Sequence, residues 1–156
     1  MPITIYLVRH GEAAGSWDNA LDPGLSERGA DQASKMADRL CQEIPVANLY
    51  CSPLHRTRAT AEPLAKLWHK EAIIKPTKPE LSEVPSEGVD FGDRRSWLTR
   101  VMAGTWPKQS SRLNSWRTAI LDFTVAQTQD AVFVTHFVVI NAIIGAIEKS
   151  NNVIVF

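Results

Sequence analysis

The sequence predicts an α/β fold: a three-layer sandwich with a largely parallel central sheet and helices on both faces. Two observations point there. Short apolar runs rich in β-branched residues alternate with segments whose apolar residues recur at helical spacing. Residues that suit a buried strand poorly stand at the ends of three of those runs: Arg9-His10, Ser52-Pro53 and Thr135-His136. Open α/β sheets bind ligands outside the carboxyl ends of their strands. If the three strands are parallel neighbours, the three groups converge on one crevice.

The elements follow in order. Ile3 to Val8 reads as a buried strand, and Gly11 to Gly24 as a loop, broken by Gly15, Ser16, Asp18, Asn19, Asp22 and Pro23. Ser26 caps a helix whose Ala33, Met36, Ala37 and Leu40 share one face, running to about Gln42 before Pro45. Val46 to Tyr50 is a second strand. Ser52-Pro53 then reads as a helix start, with serine capping the free amides and proline in the first turn. Leu54, Ala61, Leu64, Ala65 and Trp68 form that helix's apolar stripe. Ala72 to Lys75 is a third short strand. Residues 76–111, rich in proline and glycine, form an irregular lid with one short helix over 94–102. A helix over 113–128, a strand over 131–135 and a helix over 137–147 follow. The last is apolar on almost every face and therefore buried on several sides. Val153 to Phe156 reads as the start of a further strand. With no internal repeat, the 156 residues read as a single domain, 1–156.

Composition narrows the function classes. Lys+Arg and Asp+Glu number 17 each, so the net charge is zero. This argues against nucleic-acid or anionic-membrane binding through bulk charge, and any anion site must be local. Cys41 and Cys51 make neither a disulfide framework nor a metal-ligand spacing, and read as inert core or boundary thiols. No signal-peptide layout precedes Arg9, and the apolar run from Phe137 is too short to span a bilayer. A cytoplasmic protein is the expectation.

A pair of histidines with two arginines suits a phosphoryl group. The planar fork of arginine matches phosphate oxygens and stays charged. A neutral imidazole among them can attack phosphorus.

These residues sit in a familiar pattern. The stretch LVRHGEA resembles the opening motif of the histidine phosphatase superfamily, the phosphoglycerate mutase-like enzymes named for their Arg-His-Gly. DPGLSERGADQA, YCSPLHRTRATA, LSEV and VFVTHF resemble further segments of that family, in family order and over most of the chain. The resemblance implies a covalent phosphohistidine on His10, with Arg9 and Arg56 holding the phosphoryl oxygens and His136 donating to them. It also implies that Glu83 protonates the leaving oxygen and then activates water. The surrounding cations would keep His10 neutral, and a helix beginning near Pro53 would add a favourable dipole. No cofactor or metal is implied.

Some assignments have rivals. Arg58 lies about 200° round the helix from Arg56 and should face solvent. Thr60 either braces Arg56 or bonds its own helix backbone. Glu12, Glu80 and Glu87 compete with Glu83 as the proton donor. His55 and His69 read as surface histidines of the second helix.

The pattern departs from the family where Phe137-Val138 stands in place of small residues after the second histidine, narrowing or covering the pocket. Trp17 reads as a pocket wall or a packed loop, and Asn19 as the counterpart of a polar loop residue in phosphoglycerate-binding members. The segment from Ser82 to Ser111 is short for a lid, which favours a phosphatase over a mutase, and the ending NNVIVF suggests a truncated or minimal chain. The leading expectation is a metal-independent phosphatase acting on a small phosphorylated metabolite or a phosphohistidine protein. The alternatives are a phosphoglycerate mutase, a non-catalytic phospho-ligand module and a two-histidine metal hydrolase. The metal hydrolase is disfavoured by the cationic Arg9 and Arg56 and by the lack of closely spaced ligands. A homodimer through the apolar C-terminal region stays open.

Overall fold

The computed structural model describes residues 1–16, 22–71 and 77–156. The expected strand over 72–75 and the roles of Trp17 and Asn19 lie outside the described residues.

Three strands form the sheet: β1 (Ile5–Arg9), β2 (Asn48–Cys51) and β3 (Ala131–Thr135). Their order is β1-β3-β2 and both pairings are parallel, with Arg9 opposite Thr135 and Cys51 opposite Val134. The central β3 is buried at every residue, as a strand covered on both faces must be. Its alternation divides the core. Val132 and Val134 pack with Leu49, Cys51, Ala61 and Leu64 on one face. Ala131 and Phe133 pack with Val139, Ile143, Ile120 and Trp106 on the other. A fully buried side chain of the size of Leu64 or Phe133 contributes about 1.5–3 kcal/mol.

The first face carries α1 (Glu27–Glu43) and α2 (His55–Leu67). Ser26 caps α1, its Oγ accepting from the Gly29 amide at 3.0 Å. Ala33 and Ala37, four residues apart, face inward. Cys51 is buried, as a core or boundary thiol should be, whereas Cys41 is exposed, which corrects that expectation. The second face carries α4 (Ser111–Val125) and α5 (Phe137–Ile147). Helix α5 has the expected bounds and is buried from Val138 to Ile143. The short α3 (Arg94–Met102) also has its expected bounds and lies in the irregular segment, flanked by single 3-10 turns.

Three expectations are corrected. Helix α2 starts at His55, not at Pro53, and its N-cap is Leu54 without a side-chain cap. Helix α4 ends at Val125, three residues before the expected end. Residues 153–156 do not form a strand. Instead the Val155 and Phe156 amides donate to Asn141 Oδ1 of α5, at 2.8 and 3.3 Å, which ties this segment to a helix.

Candidate active site

The three strands are parallel neighbours, and their carboxyl ends converge as that arrangement requires. The His10 amide donates to the Thr135 carbonyl at 3.0 Å, and the Ser52 amide to the Val134 carbonyl at 3.2 Å. The ladder thus continues one residue past each strand and sets His10, Ser52 and His136 side by side. The His10 and His136 rings meet edge to face, with centroids 5.3 Å apart.

His10 is oriented from both sides. Its Nδ1 lies 2.7 Å from the Gly11 carbonyl, so Nδ1 carries the proton and Nε2 presents its lone pair. The Arg56 Nε–H donates to that Nε2 at 3.2 Å. The imidazole pKa is lowered to about 4. Burial is the largest cause, ahead of the Arg56 and Arg9 charges, while the Gly11 bond acts the other way. The sequence argument credited the cations; desolvation leads them. Either way the ring is neutral near pH 7.

Arg56 comes from the first turn of α2 and is almost fully buried. Its Nη2 lies 3.4 Å from Glu83 Oε2 and 3.4 Å from His136 Nδ1. Arg58 is exposed, as its angle on the helix requires. Arg9 ends β1, and its guanidinium stands 5.1 Å from the Phe137 ring centroid. Phe137 therefore narrows the cleft and packs the arginine that the resemblance assigned to phosphate.

Among the four carboxylates in contention, Glu83 is the one in the cleft. Its side chain is 17% exposed, and its Oε2 lies 3.4 Å from His136 Nδ1. Its Oε1 accepts from the Val84 amide at 3.0 Å. Burial raises its pKa against the opposing pull of that amide, Arg56 and Arg9. Glu12 is bonded to Ser26 and Arg28, and Glu87 pairs with Arg112. Glu80 sits on the 3-10 turn before Glu83 and does not line the cleft. Glu83 is set in place by its neighbours: Thr135 Oγ1 donates to the Leu81 carbonyl at 2.6 Å, and Trp116 Nε1 to the Ser82 carbonyl at 3.3 Å.

The structure adds residues that sequence reasoning missed. Ser52 was read as a helix cap. Its Oγ does accept from the Leu54 amide at 3.2 Å, but it also lies 2.8 Å from His136 Nε2 and 2.8 Å from Thr57 Oγ1. All three side chains are fully buried. Thr60 bonds its own helix, donating to the Arg56 carbonyl at 2.7 Å, and also accepts from the Gly11 amide at 3.0 Å. It therefore couples α2 to the loop after His10. That loop lies hard against α1: a Cβ on Gly11 would come 2.5 Å from the Gly29 carbonyl oxygen, and one on Gly29 would come 2.1 Å from that of Glu12. The signal for both glycines was present in LVRHGEA and LSERGA, as places where backbone meets backbone. His55 is exposed on α2, and His69 is exposed just past its end.

The cleft has a volume of about 390 Å³. Arg9, His10, Arg56 and Glu83 line it together with the apolar Leu98, Met102, Phe137 and Val138. Among the described residues, no group of three His, Cys, Asp or Glu side chains is placed to hold a metal ion. Nor is any helix among them long and apolar enough to cross a membrane.

The family model of the histidine phosphatase superfamily (branch 1) matches residues 5–152. The chain belongs to this superfamily. Among curated relatives it is similar to a probable phosphoglycerate mutase of Photorhabdus laumondii, 34% identical over 111 residues, which are 66% of this chain and 51% of that protein. It is also similar to phosphoserine phosphatase 1 of Hydrogenobacter thermophilus, 40% identical over 75 residues, or 46% of this chain and 35% of that one. The chain thus spans about half the length of the first relative and about a third of the second. Among solved structures, Bacillus stearothermophilus YhfR superposes with a TM-score of 0.69 at 19% identity, covering 96% of this chain and 81% of that one. A mycobacterial glucosyl-3-phosphoglycerate phosphatase superposes with a TM-score of 0.63 at 21% identity, covering 92% and 80%. These likenesses establish the superfamily's fold for the chain, and superfamily members are phosphatases and mutases.

Proposed function

We propose that the protein is a metal-independent phosphatase that hydrolyses phosphomonoesters through a phosphohistidine on His10. The observation that carries this reading is the position of Arg56. One guanidinium reaches His10 Nε2, Glu83 and His136 together, with Arg9 lining the same cleft. Two fixed cations beside a neutral imidazole form a phosphoryl site that needs little reorganisation.

In this reading Arg9 and Arg56 bind the phosphoryl oxygens. His10 Nε2 attacks phosphorus, and the ester P–O bond breaks as the N–P bond forms. Glu83, whose raised pKa favours the protonated acid, gives its proton to the leaving oxygen. The alcohol leaves. The Glu83 carboxylate then takes a proton from water, whose oxygen attacks phosphorus. The N–P bond breaks, and inorganic phosphate and neutral His10 are released. His136 hydrogen-bonds the phosphoryl oxygens from the floor of the site, held by Ser52.

The name of the Photorhabdus relative favours a second reading, phosphoryl transfer of the mutase type. It shares every step up to the phosphohistidine and differs in the acceptor, a second hydroxyl in place of water. A phosphohistidine side chain on a protein partner is a further candidate donor for the same cleft.

The test is hydrolysis of an aryl phosphate in excess chelator, comparing the native chain with His10→Ala. Chelator-resistant release of phosphate that vanishes in the variant is expected. Turnover that is abolished by chelator, or that survives in the variant, overturns the reading.

A further inference from the structure

The lining of the cleft is of two kinds: the charged and polar groups assigned to the phosphoryl group, and a set of apolar side chains. Leu98 and Met102 stand one turn apart on α3 and present one face. Both pack against the buried core beneath the lid, which fixes their positions. Phe137 and Val138, which also line the cleft, open α5. The Phe137 ring is held between Arg9 at 5.1 Å and the Phe156 ring at 5.6 Å. The wall is therefore preformed.

Among the described lining residues only Arg9 and Arg56 are cationic, and both are assigned to the phosphoryl oxygens. Residues 17–21, which join Ser16 to Asp22, contain no lysine or arginine. Arg94, one turn before Leu98, stands 4.9 Å from the Phe91 ring centroid and does not line the cleft. A leaving group with its own carboxylate would bring that charge among Leu98, Met102 and Val138, with no described lining cation beyond the two that hold the phosphoryl group. Burying such a charge unpaired is costly. An apolar alcohol or phenol would instead gain from leaving water. A phosphoryl group fills only a small part of about 390 Å³, so there is room for one.

We propose that Leu98, Met102, Phe137 and Val138 form a leaving-group subsite that selects phosphomonoesters of uncharged, apolar alcohols or phenols over anionic phosphorylated acids. This deepens the phosphatase reading and rests on it.

The experiment measures kcat/KM of the full chain for n-alkyl phosphates from methyl to hexyl, for phenyl phosphate and for 3-phosphoglycerate. The longer alkyl esters share nearly one leaving-group acidity, so their slope reads burial and not intrinsic reactivity. The expected rise is about two- to fourfold per methylene until the wall is filled. Phenyl phosphate should exceed 3-phosphoglycerate by at least about tenfold. Met102→Lys and Leu98→Lys, each confirmed folded by thermal melting, should flatten the slope and narrow or reverse that preference. A flat alkyl series, or a preference for 3-phosphoglycerate, in an enzyme that turns over overturns the subsite and leaves the phosphatase reading standing. No turnover of any ester overturns both.

Discussion

Arg56 caps the lone pair of His10: its Nε–H donates to His10 Nε2 at 3.2 Å, from a guanidinium that is almost completely buried. In the free protein the proposed nucleophile is thus held by the group that would next hold the substrate. An arriving phosphoryl oxygen competes for that N–H and frees the lone pair as it binds.

This predicts that Arg56→Lys is not a conservative change. Lysine keeps the charge but has no fork to reach His10, Glu83 and His136 at once. The expected loss in kcat/KM is about 10²–10³-fold, measured by steady-state kinetics on an aryl phosphate with the fold checked by circular dichroism. A loss under about threefold would show that charge alone suffices.

Ser52 positions His136. Removing its hydroxyl leaves Nε2 of a fully buried imidazole without its partner. An orphaned buried polar atom costs about 1–3 kcal/mol. Ser52→Ala should therefore lower kcat/KM about tenfold or more. Ser52→Thr, which restores a hydroxyl, should recover part of the loss. Loss of stability with kinetics unchanged would make Ser52 a helix cap and nothing further.

The pH profile has two limbs with different owners. His10 attacks only when neutral, and its folded pKa is about 4, below the ordinary 6.5. Activity limited by His10 should persist through the acid range and fail only as the pH drops toward 4. Glu83 donates only when protonated, and its pKa is raised. Activity should therefore decline as the pH climbs through that raised value. Glu83→Gln should abolish the alkaline limb of log kcat against pH while lowering its plateau. An unchanged alkaline limb in the variant would assign the acid elsewhere.

His10 also links pH to stability. Its depressed pKa makes the neutral form part of the fold, so the contribution is full above about pH 6.5 and is lost as the pH falls toward 4. The melting temperature of the native chain should drop more between pH 7 and 4.5 than that of His10→Gln. Equal drops would show that His10 does not couple to folding.

The backbone contact between Gly29 and Glu12, in the loop after His10, leaves no room for a methyl group on Gly29. Gly29→Ala, at a helical position where alanine would otherwise help, should destabilise the protein by about 1–3 kcal/mol, read from denaturant unfolding. A neutral or stabilising effect would mean that the loop carrying His10 yields easily.

Much of this architecture was legible in the sequence because local and tertiary demands agree. Ser26 caps α1, and α3 and α5 occupy their expected bounds, since the apolar spacing and the packing call for the same residues. The parallel sheet could be anticipated because strand-like runs alternate with helical segments and Arg9-His10 and Thr135-His136 stand at the ends of two of those runs. Reading failed where a side chain serves a distant partner. Ser52 looked like a cap because its local pattern permits one, whereas its strongest commitments are to His136 and Thr57 across the fold. Val153 to Phe156 looked like a strand because β-branched residues favour extended backbone. What it meets is Asn141, a buried amide 14 and 15 residues earlier. Glu83 was separable from Glu12, Glu80 and Glu87 only through the family resemblance, since spacing in an irregular segment says little about direction.

The central claim is the covalent intermediate, and trapping it is the direct test. The full chain, mixed with excess aryl phosphate for a fraction of one turnover and quenched in alkali, should carry a phosphoryl group on the peptide containing His10. The adduct should be stable to alkali, labile to acid, and absent in His10→Ala. Steady turnover with no adduct at His10, or an adduct on another residue, would contradict the account.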